Sequence, residues 1–406
     1  MVIVEWTGRH TAALRHANRM SVRVFADWLG VDARTVSKWE RAGITLRVRP
    51  ATAEILDRAL EQLGAGARAR FEHAITMEDE QPVNRRDLLR AGIAAPLLGV
   101  AAVPLPPPTR GVDPLMIDHI EAVLDVAKRQ DDALGASAAI DTVLGQTRVA
   151  AALLNHCPPG LLPRLTGVYS DLLGFAGCLR FDLGDFAAAG KLYDAAREAA
   201  HDADADELSV YMLCHLAQLA VWRGAPRVAV DHAVAATSWA RSIGDRLLQE
   251  YALQRAAVAF AAAAQRSDAF VALEKAATVL DKAESGTASL AYFNGSGLLT
   301  SMRTEVMLRV GDAGAAQAPA QEALDMFDRS MVRDRAFALL DLAAVDTALG
   351  RVESAAGSVG ESARLAACNR SRRLAGAIVA ARVDLEPWAD SRAVVTLDEE
   401  LAEVLA

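Results

Sequence analysis

Lysine is nearly absent from this chain: five lysines stand against thirty-eight arginines in 406 residues. Alanine is very abundant over the same length, and the two biases together are the signature of a GC-rich genome. Arginine abundance alone is therefore no evidence of phosphate binding. Cysteine is scarce as well. Cys157, Cys178, Cys214 and Cys368 are far apart, form no CxxC pair and sit in apolar surroundings, which excludes a disulfide framework and reads as free buried thiols in a reducing cytoplasm. Metal spacing is missing too. His156-Cys157 and Cys214-His215 are adjacent pairs, which cannot both point at one metal from a helix, and no third ligand stands at a fitting distance. Asp202, Asp204 and Asp206 alternate like part of a calcium loop but lack its glycine and terminal glutamate, so they read as a solvated loop. No phosphate-cradling loop ending in GK[ST] occurs, and Asn294-Gly295-Ser296-Gly297 has no strand before it. These absences argue against an enzyme, and no cofactor is expected.

A long hydrophobic run is also missing. The nearest is AGIAAPLLGVAAVPLPPP, which follows Asn84-Arg85-Arg86-Asp87 and looks like a twin-arginine export signal. It starts some eighty residues into the chain, and Pro96 breaks a stretch too short to span a bilayer. Residues Arg85–Gly99 read as a connecting helix and Pro104–Pro108 as a spacer. The expected location is cytoplasmic, with no membrane partner.

What is present begins with length and charge. The length is enough for two to three domains and a large core. The formal net charge is −9, which taken whole argues against a nucleic-acid binder. The distribution reverses that reading. Residues 1–70 hold twelve basic and seven acidic side chains, and the remainder holds thirty-one and forty-five. A basic head on an acidic body fits a DNA-binding head and a body that stays off DNA.

Residues 21–43, SVRVFADWLGVDARTVSKWERAG, predict a helix, a tight turn and a second helix. Ser21 suits an N-cap, and Val24, Phe25, Trp28 and Leu29 share one helical face. Gly30 stops that helix, Val31 plugs the turn and Asp32 caps the next helix. Ala33, Val36 and Trp39 then face inward, leaving Arg34, Thr35, Ser37, Lys38 and Arg41 outward, and Gly43 ends the helix. The helical spacing of Trp28 and Trp39 assigns them to the core rather than to a stacking platform for single strands. Upstream, Trp6 and Leu14 belong to a first helix at about 9–19. Downstream, Pro50 opens a helix at about 51–63 with Ile55, Leu56, Ala59, Leu60 and Leu63 on one face. Between them Arg47 and Arg49 lie on an extended loop, as candidate phosphate clamps or as a solvated loop. Glu40 is expected to pair with a local arginine such as Arg47.

The order Phe25-Ala26, Leu29-Gly30-Val31 and Thr35-Val36-Ser37-x-Trp39-Glu40-x-x-Gly43 resembles the helix-turn-helix of Cro/repressor-type (XRE family) regulators over roughly residues 9–63. The resemblance implies that Arg34, Thr35, Ser37 and Lys38 reach base edges of double-stranded DNA. Arg23 and Arg41 would touch phosphates. One such motif reads few base pairs, so a homodimer is implied. Nothing in residues 1–73 forms an evident dimer surface, and the last helices, around 372–406, are the expected source.

From about residue 113 nearly everything reads helical. Gly184-Asp185, Gly224-Ala225, Arg266-Ser267-Asp268, Gly311-Asp312 and Gly350-Arg351 punctuate the chain at intervals of about forty residues, each holding two helices. The best unit is 165–204, with Leu172, Leu173 and Ala176 on its first helix and Phe186, Ala189, Leu192, Tyr193 and Ala196 on its second. It resembles a tetratricopeptide (TPR) repeat, although the interval is longer than usual and the signature Trp and Pro are missing from most units.

The expected organisation is all-α: a helix-turn-helix domain at 1–73, a linker with a hinge at 74–112, and a TPR-like helical-repeat solenoid at 113–406. It is similar to actinobacterial helix-turn-helix regulators with TPR bodies. The repeats would supply dimerisation and a groove for a peptide, a small-molecule effector or a partner. Polar groove candidates are Tyr251, Arg255, Tyr292, Asn294 and Arg303. A rival reading is a protein-interaction adaptor with little DNA affinity.

Overall fold

The computed structural model describes residues 6–18, 20, 22–42, 48, 50–64, 68, 71, 111–283, 289–369 and 371–404. The chain divides into two compact units, Met1–Leu88 and Leu89–Ala406. The described residues are helical throughout, with no strand. The expected connecting helix at Arg85–Gly99, the spacer at Pro104–Pro108 and most of the linker lie outside the described residues.

The first unit holds α1 (Gly8–Ala17), α2 (Val22–Leu29), α3 (Ala33–Ala42) and α4 (Pro50–Glu61). Trp6 stands before α1 rather than within it, because Thr7 caps the helix: its hydroxyl accepts from the His10 amide. Trp6 is buried against Phe71, and its indole N–H donates to Asp57 Oδ1 at 2.7 Å, tying the entry of α1 to α4. Large side chains fill this core: Leu14, Phe25, Leu29, Val36, Leu56 and Leu60 join Trp6 and Phe71. Pro50 does open α4, where its missing N–H costs nothing.

Among the described residues the second unit stacks fourteen α-helices in a repeat-like packing. They are α5 (Pro114–Leu134), α6 (Ala136–Leu154), α7 (Leu162–Asp182), α8 (Phe186–Asp202), α9 (Asp206–Trp222), α10 (Pro226–Ala240), α11 (Arg246–Ala262), α12 (Arg266–Leu280), α13 (Ser296–Arg309), α14 (Ala313–Met326), α15 (Val332–Ala348), α16 (Val352–Asn369), α17 (Arg372–Asp384) and α18 (Arg392–Val404). The turns inside the pairs from α7/α8 to α15/α16 share one geometry. After α7, the Gly184 amide bonds Phe181 O and the Asp185 amide bonds Arg180 O; the same two bonds recur at Gly224, Ala264, Gly311 and Gly350. All five residues have positive φ, which closes the helix end and frees the chain to reverse. The third turn thus lies at Ala264-Gln265, and Arg266 already begins α12 rather than forming the turn. Alanine at φ +60° hides this turn from a search for glycine, since only its place in the period marks it.

Alanine stripes bring the helices together. On α10 every buried residue is alanine, Ala229, Ala233, Ala236 and Ala240, and on α14 the same holds for Ala316, Ala320 and Ala323. Spacing of three and four residues keeps each stripe on one face, and the missing bulk lets neighbours approach closely. Gly177 serves the same end on α7: a Cβ there would sit 2.6 Å from the Tyr193 ring.

The stack does not stay open. The first helices of successive pairs follow one another around a cavity until α17 packs on α7 and α16 on α5. Charged groups fasten this closure. Arg333 Nη1 and Nη2 each donate to Asp131 Oδ2 at 3.3 Å, and Arg333 reaches Asp182 Oδ2 at 3.7 Å. The Ser371 hydroxyl donates to Asp182 Oδ1 at 2.8 Å, and Arg373 Nε donates to the same oxygen at 3.2 Å. Asp182 is only 3% exposed, so these cations are what makes its burial tolerable.

A candidate nucleic-acid interface and an aromatic cavity

In the first unit α2, its turn and α3 are built much as their residue order predicts. Phe25, Ala26 and Leu29 are the buried face of α2, with Trp28 tilted against Phe25 at 5.9 Å between ring centroids. Val24 departs from expectation at 53% exposure: it lies on the flank of the stripe that Phe25 and Leu29 define. Gly30 takes φ +70°, and the Val31 amide returns to Ala26 O at 3.0 Å. Asp32 Oδ1 accepts from the Arg34 amide at 2.7 Å, which caps α3. Val36 is fully buried, and Trp28 and Trp39 pack on the same core.

The outward side of this pair carries the predicted polar residues. Arg23, Arg34 and Lys38 are exposed, and Thr35 and Ser37 are half-exposed. The Arg41 side chain, Arg47, Arg49, Ser21 and Gly43 lie outside the described residues. Glu40 does find an arginine, but it is Arg15 of α1: Nε donates to Oε1 at 2.7 Å and Nη2 to Oε2 at 3.0 Å. The fork is half-buried, and the same guanidinium donates to Met20 O at 2.9 Å, so it fixes α1 to α3 and leaves α3 net basic outside.

The second unit places its chemistry in the central cavity, about 870 Å3 in volume. Seven helices, the odd-numbered ones from α5 to α17, each give a stripe to its wall. On α7 these are Phe175, Cys178 and Asp182; on α9, Tyr211, His215, Gln218 and Trp222; on α11, Tyr251, Arg255 and Val258. Ten of the chain's twenty-one aromatic side chains line it. The His215 ring stacks on Tyr193 at 5.2 Å and meets Tyr211 edge-on at 4.5 Å. Burial, aided by the Arg255 charge, lowers its pKa to about 3, so the imidazole is neutral at physiological pH. Arg373 lies over Phe337 at 4.4 Å, Phe181 at 5.0 Å and Trp222 at 5.4 Å. Burial also lifts the Asp341 carboxyl to about 8, so this wall residue carries little charge at neutral pH.

Of the five groove residues expected from sequence, Tyr251, Arg255 and Tyr292 come to this cavity. Asn294 does not: it is buried beside the wall, where its amide donates to Glu250 Oε2 and to Leu247 O at 3.1 Å. Gln254 Nε2 closes that network with bonds to Asn294 Oδ1 at 2.9 Å and Glu250 Oε1 at 2.6 Å. Arg303 is not on the cavity wall, although Ser301, Met302 and Glu305 of the same helix are. The sequence reading missed His215, Arg333, Arg373 and the aromatic lining. Their signal was present as polar and aromatic residues at i, i+4 and i+7 on first helices, as in Tyr211, His215 and Gln218, within an alanine-rich background.

The cysteines are free where described, with Cys214 buried and Cys157 and Cys178 only partly so; Cys178 lies 3.6 Å from His215 Nε2. The Cys368 side chain is outside the described residues. No group of metal-ligating side chains and no helix long and apolar enough to cross a membrane occurs among the described residues. No protein-family model and no curated protein matches the chain.

Proposed function

We propose that the protein is a sequence-specific, DNA-binding transcriptional regulator of the XRE type that works as a homodimer, with a TPR-like body for dimerisation and for sensing an effector or partner. One observation carries the reading: a glycine-turned, aspartate-capped α3 presents Arg34, Thr35, Ser37 and Lys38 outward while its Val36 and Trp39 enter the core. Such a helix fits a major groove with its N-terminal residues at base edges and Arg23 nearby for phosphate. For the dimer, the support is the run of exposed valines at the chain's end, Val379, Val383 and Val395. The body's cavity is the place for an effector. Its binding would act by favouring one of two states that differ in operator affinity.

The test is retardation of random and selected duplex DNA by the full chain over a range of salt. Binding should weaken steeply as salt rises. Arg34→Ala with Lys38→Ala should cost about 1–3 kcal/mol for the base-reading arginine and flatten the salt slope by about one for the phosphate-type lysine. A chain that retards no duplex, or a double variant that binds unchanged, overturns the proposal. Val379→Asp with Val383→Asp should turn a dimer into a monomer by sedimentation.

A further inference from the structure

Arg255 is anomalous among the cations of the cavity wall. Lys128 is paired with Asp171 at 2.9 Å, Arg309 with Glu305 at 2.8 Å, Arg333 with Asp131 at 3.3 Å and Arg373 with Asp182 at 3.2 Å. Arg255 is 6% exposed, yet it makes no ion pair and no hydrogen bond among the described residues, and its Nε is buried without a partner. The Tyr251 ring lies 4.7 Å below the guanidinium. A buried guanidinium without a counter-ion destabilises the protein that holds it. Glu250, five residues earlier on the same helix, attracts it through space but makes no direct ion pair with it: both its oxygens accept from Gln254 and Asn294, and burial lifts its carboxyl to about 7, so it carries only part of a charge at neutral pH. His215 is neutral, and the tyrosines beside it are neutral phenols. The surroundings of Arg255 thus offer hydroxyls, a ring N–H and aromatic faces, but no full negative charge.

We infer that the cavity is the binding site of a small organic anion, a carboxylate or sulfonate on an aromatic body, with Arg255 as its counter-ion and the rings of Tyr211, Tyr251, Trp222 and Phe293 as the wall for that body. A planar fork with five donors suits a two-oxygen acid. The volume falls in the range that encloses a drug-sized molecule. Tyr211 and Tyr251 also line the cavity, and each carries a hydroxyl that can donate to an acid. This inference gives chemistry to the sensing role proposed for the body.

The experiment uses the full-length protein without DNA, so that its failure is separate from any failure of operator binding. Two probes share an apolar body: 1-anilinonaphthalene-8-sulfonate carries the anion and N-phenyl-1-naphthylamine does not. Fluorescence titration should give one saturable sulfonate site per chain, at least about tenfold tighter than the neutral probe, as a charged hydrogen-bonded contact predicts. Arg255→Met should weaken the sulfonate by about tenfold or more, leave the neutral probe within about twofold, and melt no lower than the parent, since an unpaired charge has been removed. The preference of the parent protein stands as evidence without the variant. Absence of saturable sulfonate binding, equal affinity for the two probes, or a variant that loses both probes alike or neither would overturn the inference.

Discussion

The two units spend their large side chains differently. In the first, Trp6, Phe25, Phe71, Leu14 and Leu56 meet in one small core. In the second, leucines such as Leu165, Leu172 and Leu173 pack the early helices, alanine alone fills the buried faces of α10 and α14, and Phe181, Tyr211, Tyr251, Phe293 and Phe337 gather around a cavity. A short unit buries a small share of its surface and needs bulky residues to hold together. A long stack repeats its seams many times, so each can be lean, and bulk is free to shape a binding wall.

Four perturbations break or sharpen this contrast, and hydrogen exchange resolved along the chain reads the two units separately. Phe25→Ala should destabilise the first unit by about 3–5 kcal/mol, exposing its amides while those of the second keep their protection. The second unit should instead respond to pH. Glu250, fully buried, has its pKa raised from 4.5 to about 7. The folded state therefore holds a proton on this carboxyl that the unfolded state has released, and Glu250's share of the stability falls as pH climbs from about 4.5 to 7, by an amount on the order of 3 kcal/mol. Glu250→Gln should remove that share of the slope in thermal melts and leave the share of Asp341, whose carboxyl burial lifts to about 8. Ala233→Leu should cost about 1–3 kcal/mol by overfilling a seam that has no spare room, although it adds apolar bulk. Phe293→Ala should cost the least, about 1 kcal/mol, because the ring is already beside open space and loses chiefly its edge contacts with Tyr251 at 5.4 Å and Tyr292 at 5.6 Å. A loss at Phe293 as large as that at Phe25 would show that the wall is a core after all.

Local features were legible in the chain because local chemistry determines them. Gly30, Asp32 and Pro50 mark helix ends by their backbone preferences, and Gly184, Gly224, Gly311 and Gly350 mark the period. Ala264 escaped, because alanine has no backbone preference for the positive φ it adopts there. Tyr251 and Arg255 could be picked from their four-residue spacing on a first helix. Asn294 was a candidate too, but it stands in the turn before α13, and the fold directs it away from the cavity toward Glu250 and Gln254. Glu40 pairs with Arg15, 25 residues away in sequence, because α1 packs on α3 there. The closure of the stack was out of reach, since it depends on small rotations accumulated over many pairs.

That closure also governs how the second unit folds. In an open stack each pair touches only its neighbours, so the ends fray one pair at a time. Here Asp131 is joined to Arg333 across 202 residues of chain, and Asp182 to Ser371 across 189. Closing so long a loop adds little entropic cost over a shorter one, because each doubling of length adds only about 0.6 kcal/mol. The two ends become neighbours in the cooperative sense. They gain protection together and lose it together, and contacts of such sequence separation form late, after the seams between them are in place.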